Sequence, residues 1–291
     1  MTTLGTSTST SPSTSTSTST SPSTSTSTST STSTSPSTTP APEPAPTPRA
    51  ETQTPLGVLA FGDSITNGGG ENQWGVALQS WAWWVARGLG LAYTGYAVDG
   101  ARARDVVGAQ IPLYERVAAN PGARYDLGCL YIGVNDVRSP DWNPDAFARD
   151  FSTALAYLKD RCDRVLTVMA PLDLGRPRAR ARVHELNARI ERVATDTRAL
   201  VLDLSRFGAR NHVMADHVHP TAFGQIAIAE RALDVLRTDG LEPKIRPPTL
   251  VRYETTWWNR LRGDATYLYR HAQTTRKAAI TLVRARVRRP R

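Results

Sequence analysis

Four short stretches of this 291-residue chain carry residue types that do chemistry together. Gly62-Asp63-Ser64 follows directly on the apolar run Val58-Leu59-Ala60-Phe61, which puts a hydroxyl where a strand stops and a tight turn begins. Asp216-His217-Val218-His219-Pro220 offers a carboxylate and two imidazoles within one turn. Gly133-Val134-Asn135-Asp136 places a side-chain amide after the apolar run ending at Ile132, and Gly100 ends a further run with a backbone N–H that no side chain obstructs. A serine hydroxyl becomes a nucleophile when a base takes its proton and a carboxylate holds that base in the right tautomer. Donors must also meet the oxyanion that develops. Taken singly, each stretch also has a local reading. Gly, Asp and Ser are turn residues, Asp216 caps a helix start, Asn135-Asp136 makes a polar turn, and Gly100 is a strand-to-loop glycine. Gly68-Gly69-Gly70, just after the serine, reads as a flexible rim to a pocket.

Whether these stretches meet depends on the elements that carry them. Apolar runs predict strands at 57–62, 91–97, 126–132, 164–170 and 199–204. Between them lie segments of helical spacing. Trp74, Leu78, Trp81, Val85 and Leu89 share one face of a first helix, as core rather than as binding residues. Asn143-Pro144 is a cap and first-turn proline for a helix over 144–160, and further helices fit 178–198 and 221–237. Five short apolar strands alternating with helices imply a parallel sheet covered on both faces. In such sheets, sites form at the carboxyl ends of the strands. Ser64, Gly100, Asn135 and the Asp216–His219 loop all fall at those ends.

With that placement, the ordered set Gly62-Asp63-Ser64, Gly100, Gly133-x-Asn135-Asp136 and Asp216-x-x-His219-Pro220 resembles the four blocks of the SGNH hydrolase, or GDSL esterase/lipase, family. The resemblance spans residues 57 to about 237. It implies a three-layer α/β/α fold with a five-stranded parallel, flavodoxin-like sheet. It implies Ser64 as nucleophile, His219 rather than His217 as general base, and Asp216 as the carboxylate orienting His219. The oxyanion hole it implies comprises the N–H groups of Ser64 and Gly100 and the amide of Asn135, with no cofactor or metal. One block departs from the pattern: family members often carry Asn shortly before the glycine, where this chain reads Tyr96-Ala97-Val98-Asp99. The expected reaction is cleavage of a carboxylic ester of a small molecule, lipid or carbohydrate through an acyl-enzyme. Carbohydrate O-deacetylation and thioester hydrolysis are the alternatives within the family. Arg102, Arg104, Arg138 and Trp142 lie near the site loops as candidates to shape a substrate pocket.

Three other readings fit less well. The Gly-x-Ser-x-Gly elbow of α/β-hydrolases is missing, since the segment reads Gly62-Asp63-Ser64-Ile65-Thr66. A dinuclear phosphoesterase would draw on Asp63, Asn135, Asp136, Asp216, His217 and His219, but no histidine precedes His184 to supply an early metal ligand. A binding module with a decayed site would not keep every catalytic position.

The two ends of the chain differ from the middle. Residues 6–40 are only Ser, Thr and Pro, so residues 1–53 read as a disordered tail and linker, with the hydrolase domain over 54–240. Residues 242–291 hold 13 Lys and Arg against 3 Asp and Glu, net +10, while the whole chain is +9. The basic character therefore belongs to the extension over 241–291. Trp257, Trp258, Tyr267 and Tyr269 are interleaved with arginine there. That pattern suits an anionic membrane surface, although a solvated helix packed on the domain by its aromatics is the plainer expectation. No motif indicates a specific nucleic acid, and a monomer is expected. Cys129 and Cys162 lack metal-ligand spacing and read as buried free thiols. The start shows no charged and apolar leader, so a cytoplasmic location is expected, with export reopened if the true start lies elsewhere.

Overall fold

A computed structural model describes residues 55–120, 122–209, 211–253 and 255–287. The Ser/Thr/Pro tail lies outside the described residues. The first strand, β1 (Val58–Gly62), is buried at every position, as a parallel strand covered on both faces must be. In chain order there follow α1 (Trp81–Leu89), β2 (Tyr93–Gly95) and α2 (Ala103–Asp105). A π-helical turn over Val106–Gln110 leads from α2 into α3 (Ile111–Val117). Next come β3 (Tyr125–Tyr131), α4 (Val134–Arg138), α5 (Pro144–Arg161) and β4 (Cys162–Met169), then α6 (Ala181–Thr197), β5 (Leu200–Asp203) and α7 (Ala222–Thr238). A long helix, α8 (Trp257–Val287), ends the described chain.

All strand pairs are parallel and the sheet order is β2-β1-β3-β4-β5. Chain order reverses at β1, so the loops after β1 and β3 leave toward opposite faces and open a crevice between them. Helix α1 packs on α7, whereas α5 packs on α6 and on the π-helical turn. The sheet thus has helices on both sides, and the predicted doubly covered parallel sheet is the observed one. Phe61, fully buried, meets Tyr114 edge-on at 6.2 Å in its core. Cys129 and Cys162 are buried free thiols, and burial raises both thiol pKa values.

The helix starts follow side-chain caps. Asn143 Oδ1 accepts from the N–H groups of Asp145 and Ala146, and Thr221 Oγ1 accepts from Gly224. Ser80 Oγ accepts from Ala82, so α1 begins at Trp81. Trp74 and Leu78, which the spacing placed on this helix, lie ahead of it in a loop. Trp74 has a φ of 49°, a left-handed turn that no helix continues through. The edge strand β2 is shorter than the run 91–97 suggested, and among the described residues it pairs with β1 alone. The segment 103–117 was not predicted helical, because Gly108 and Pro112 interrupt its pattern. In α8 the aromatics do not all pack inward: Trp257, Trp258 and Tyr269 are exposed.

Trp81 is fully buried. Its N–H donates to Gln225 Oε1 at 2.8 Å and its indole N–H to Thr66 Oγ1 at 3.2 Å. Trp81→Ala is expected to cost about 3–5 kcal/mol in urea unfolding; a loss below about 1 kcal/mol contradicts this placement.

Candidate active site

Strand β1 delivers Ser64 to its position through a tightly bonded turn. The Gln110 amide holds both backbone groups of Gly62, accepting from its N–H at 3.1 Å and donating to its C=O at 2.7 Å. Asp63 is fully buried and its Oδ1 accepts from Ile65 N–H at 2.9 Å. The glycines beyond Ser64 are a close-packed clamp, not a flexible rim. Gly69 N–H donates to Ser64 C=O at 2.6 Å, and a Cβ on Gly69 would lie 2.7 Å from that same oxygen. Gly70 adopts φ 148°, and a Cβ there would lie 2.1 Å from Pro220 C=O. Gln225 of α7 completes the clamp by donating to Ile65 C=O at 2.9 Å and Gly69 C=O at 3.1 Å.

That clamp presses the serine turn against the loop after β5. Ser64 Oγ lies 2.9 Å from His219 Nε2, and His219 Nδ1 lies 2.7 Å from Asp216 Oδ2. Asp216 Oδ1 accepts from the N–H groups of Val218 and His219 at 2.9 and 3.1 Å. The carboxylate therefore fixes the Nδ1–H tautomer and leaves the Nε2 lone pair facing the hydroxyl. The Asp216 hydrogen bond raises the His219 pKa above its ordinary value, against the effect of burial. Burial pushes Asp216 upward, but the hydrogen bonds from His219 and Val218 hold its carboxyl below the usual value. An imidazole so held can take a proton from Ser64.

His217, two residues away, is turned elsewhere. Its Nδ1 lies 3.0 Å from Asp173, and its Nε2 lies 2.7 Å from an Arg176 guanidinium nitrogen, which must donate to it. Burial, then the Arg176 charge, lowers its pKa. With its lone pair engaged, His217 has nothing to offer Ser64. Among the described residues, no three His, Cys, Asp or Glu side chains are gathered to hold a metal ion.

The remaining predicted residues follow the carboxyl ends of β2 and β3. Gly100 has φ 76° and faces open space where a side chain would stand. Among the described residues, the N–H groups of Ser64 and Gly100 donate to no protein acceptor. Asn135, in the first turn of α4, donates from Nδ2 to Ala101 C=O at 3.0 Å, and Asp136 accepts from Ala103 N–H at 3.2 Å. Together they tie the loop after β2 to the loop after β3. Burial pushes the Asp136 carboxyl up to about 6. Where the family often has Asn, Asp99 accepts from Asn67 Nδ2 at 2.9 Å, so the loop is held by a different bond.

The candidate pocket residues are placed less uniformly. Arg102 contacts both oxygens of Asp141 at 3.1 Å. Trp142 donates to Glu185 at 2.9 Å, Arg104 is exposed, and the charge of Arg138 acts on His219. Sequence reasoning missed Gln110 and Gln225. Each is a fully buried glutamine in an otherwise apolar segment, which was the available signal. A cleft of about 780 Å3 borders Asp216 rather than Ser64, between the loops over 71–75 and 211–216 and helix α8.

A family model for GDSL-like lipases and acylhydrolases matches residues 60–226, more than half of the chain, and the chain belongs to that family. It is thereby a carboxylic ester hydrolase. No curated protein matches it by sequence. Among solved structures, Axe2, an acetylxylan esterase from Geobacillus stearothermophilus, is 20% identical. The match covers 63% of this chain and 96% of that one at a TM-score of 0.48. LAE5, an α/β hydrolase from the metagenome of Lake Arreo, Spain, is 18% identical over 62% and 94% of the two chains, at a TM-score of 0.48. An extracellular lipase from Streptomyces rimosus is 19% identical over 63% and 99%, at 0.46. At these TM-scores they are likenesses of outline, and no activity passes from them.

Asp63 generates a stability prediction. Burial pushes its carboxyl up to about 7, and its Oδ2 has no hydrogen-bond partner among the described residues. The unfolded chain releases this proton near the ordinary value of 3.8, so its contribution is fully present below that and is lost as pH rises toward 7. Asp63→Asn keeps the acceptor for Ile65 and removes the buried charge. Its stability relative to the parent is expected to rise between pH 4 and pH 8, by up to about 4 kcal/mol. A pH-independent difference in urea unfolding contradicts the shift.

Proposed function

We propose that this chain cleaves carboxylic esters through an acyl-enzyme on Ser64, with His219 as general base and Asp216 as its orienting carboxylate. The observation that carries the reading is the continuous chain from Asp216 through His219 to Ser64, at 2.7 and 2.9 Å. His219 Nε2 takes the Ser64 proton as Oγ attacks the ester carbonyl carbon. The carbonyl oxygen, now an anion, is received by the N–H groups of Ser64 and Gly100 and by the second Nδ2 hydrogen of Asn135. The first Nδ2 hydrogen remains on Ala101 C=O. Collapse breaks the bond to the alkoxy oxygen, and the imidazolium gives its proton to the departing alcohol. Water then attacks the acyl-enzyme with His219 again as base, releasing the acid and restoring Ser64.

A second reading concerns the alcohol. The cleft beside Asp216 carries the amides Asn72, Asn211 and Asn259 together with Trp74 and Tyr267, among the charged side chains Glu71, Arg262, Asp264 and Arg270. Many hydrogen-bonding side chains, neutral and charged, beside aromatic rings suit a polyhydroxylated alcohol, which favours a carbohydrate ester over a long-chain lipid. A panel of nitrophenyl esters of increasing chain length, run beside acetylated sugars, tests this reading. A higher kcat/KM for the acetylated sugars supports it, and a steady rise with acyl length contradicts it.

The mechanism has its own tests. Ser64→Ala is expected to lower kcat by about 10^4-fold or more, with activity of the parent unaffected by strong chelation. Asn135→Ala is expected to cost about 10^2–10^3 in kcat with little change in KM. His219 must be neutral to act, so kcat/KM rises with pH through an apparent pKa above the ordinary histidine value of 6.5. In Asp216→Asn the group that raises that pKa is gone, and the limb moves to lower pH. Chelator-sensitive activity that survives in Ser64→Ala contradicts the mechanism.

A further inference from the structure

Helix α8 is amphipathic in the reverse of the usual sense. Its polar side faces the domain: Asn259, Arg262, Thr266, Arg270 and Thr274 line the cleft, and Arg270 pairs with Glu71. Its large apolar side chains face solvent. Trp257 and Trp258 are 64% and 69% exposed, and Leu261, Leu268, Tyr269 and Val283 are each about half exposed or more. At about 100° per residue, Trp258, Leu261, Ala265, Leu268, Ala272, Ala279 and Val283 fall on one stripe, turned away from the cleft residues. From Trp258 to Val283, at about 1.5 Å per residue, this stripe runs along roughly 38 Å of the 31-residue helix. Isolated exposed apolar residues need no explanation, but a continuous stripe on one helix marks a contact surface.

Charge decides what the stripe contacts. Between 242 and 291 the chain carries net +10, with Arg260, Arg262, Arg276 and Lys277 exposed along the same helix. A second copy would bring a second such charge against the first, which repels. The segment 6–40, all Ser, Thr and Pro, has no apolar side chain to lay on the stripe. An anionic lipid surface supplies both an opposite charge and an apolar layer, and paired tryptophans sit well at the boundary between the two. Among the described residues no helix is long and apolar enough to cross a membrane, so the geometry is that of a helix lying in the interface. We propose that α8 docks this enzyme on anionic lipid surfaces by its outward apolar stripe. Its polar side meanwhile holds the loops over 71–75 and 211–216 beside the catalytic crevice, so docking brings that rim close to the bilayer.

The test is co-sedimentation of the full chain with vesicles of equal parts phosphatidylglycerol and phosphatidylcholine, and with phosphatidylcholine alone. Binding to the anionic vesicles is expected to exceed binding to the neutral ones by at least about tenfold, and to weaken with salt. Trp257→Ser/Trp258→Ser/Leu268→Ser keeps every charge and is expected to lose at least about tenfold. Arg276→Gln/Lys277→Gln keeps the stripe and is expected to lose roughly 25-fold, at about fivefold per basic residue. Both variants should hydrolyse soluble nitrophenyl acetate at the parent rate, which separates lost docking from lost folding. Equal binding of the stripe variant and the parent overturns the proposal, as does equal binding to neutral and anionic vesicles. A lipid-free dimer in sedimentation equilibrium that the stripe substitutions dissociate also overturns it, since the stripe would then be a self-interface.

Discussion

The site depends on bringing the turn after β1 into hydrogen-bond contact with the loop after β5, although two strands stand between them. In the order β2-β1-β3-β4-β5, these strands are three spacings apart, roughly 14 Å at about 4.8 Å each. The packing of α1 on α7 across one face brings the two loops toward each other. A zipper of backbone contacts then joins them. Glu71 and Thr221 form a parallel bridge, Ala222 N–H donates to Glu71 C=O at 2.9 Å, and Gly70 lies flush against Pro220. Gln225 ties the same two segments through side-chain bonds. The 2.9 Å contact between Ser64 and His219, residues 155 apart in sequence, is the outcome of that zipper.

Electrostatics then separates two histidines that the sequence presents as near equals. His219 meets Asp216 at one ring nitrogen and keeps the other for Ser64, so its proton affinity rises. His217 meets Asp173 at one ring nitrogen and Arg176 at the other, and burial lowers its proton affinity. A neutral base with raised affinity is suited to proton transfer near neutral pH. The buried carboxyls of Asp63 and Asp136 sit close by, both pushed upward by burial. Asp136 uses its acceptor capacity to fix the loop that carries Gly100, so that carboxyl serves placement of the Gly100 N–H.

Much of this was legible because it rests on local pattern. Strand β1 is a fully buried apolar run and β3 and β4 are mostly buried ones, and helices α5, α6 and α7 announce themselves by period; α5 and α7 add a side-chain cap. The placing of Ser64, Asn135, Asp216 and His219 at strand ends follows from those elements. What was not legible depends on long-range contact. Nothing local says that Gly69 and Gly70 pack on Ser64 and Pro220, so a close-packed clamp read as a flexible rim. The period through Trp74, Leu78 and Trp81 suggested one continuous helix, whereas the left-handed Trp74 and the Ser80 cap delay its start to Trp81. The direction of the α8 apolar stripe was likewise invisible, since the period of a helix does not say which side faces the domain.

The central claim is that Ser64 is an activated nucleophile rather than a turn residue. The most direct measurement is peptide mass spectrometry after brief exposure of the full chain to an alkyl fluorophosphonate at neutral pH. The account predicts one adduct per chain, located on Ser64, with the labelling rate falling steeply in His219→Ala. No adduct, an adduct on another residue, or labelling of Ser64 that is indifferent to His219 would contradict it.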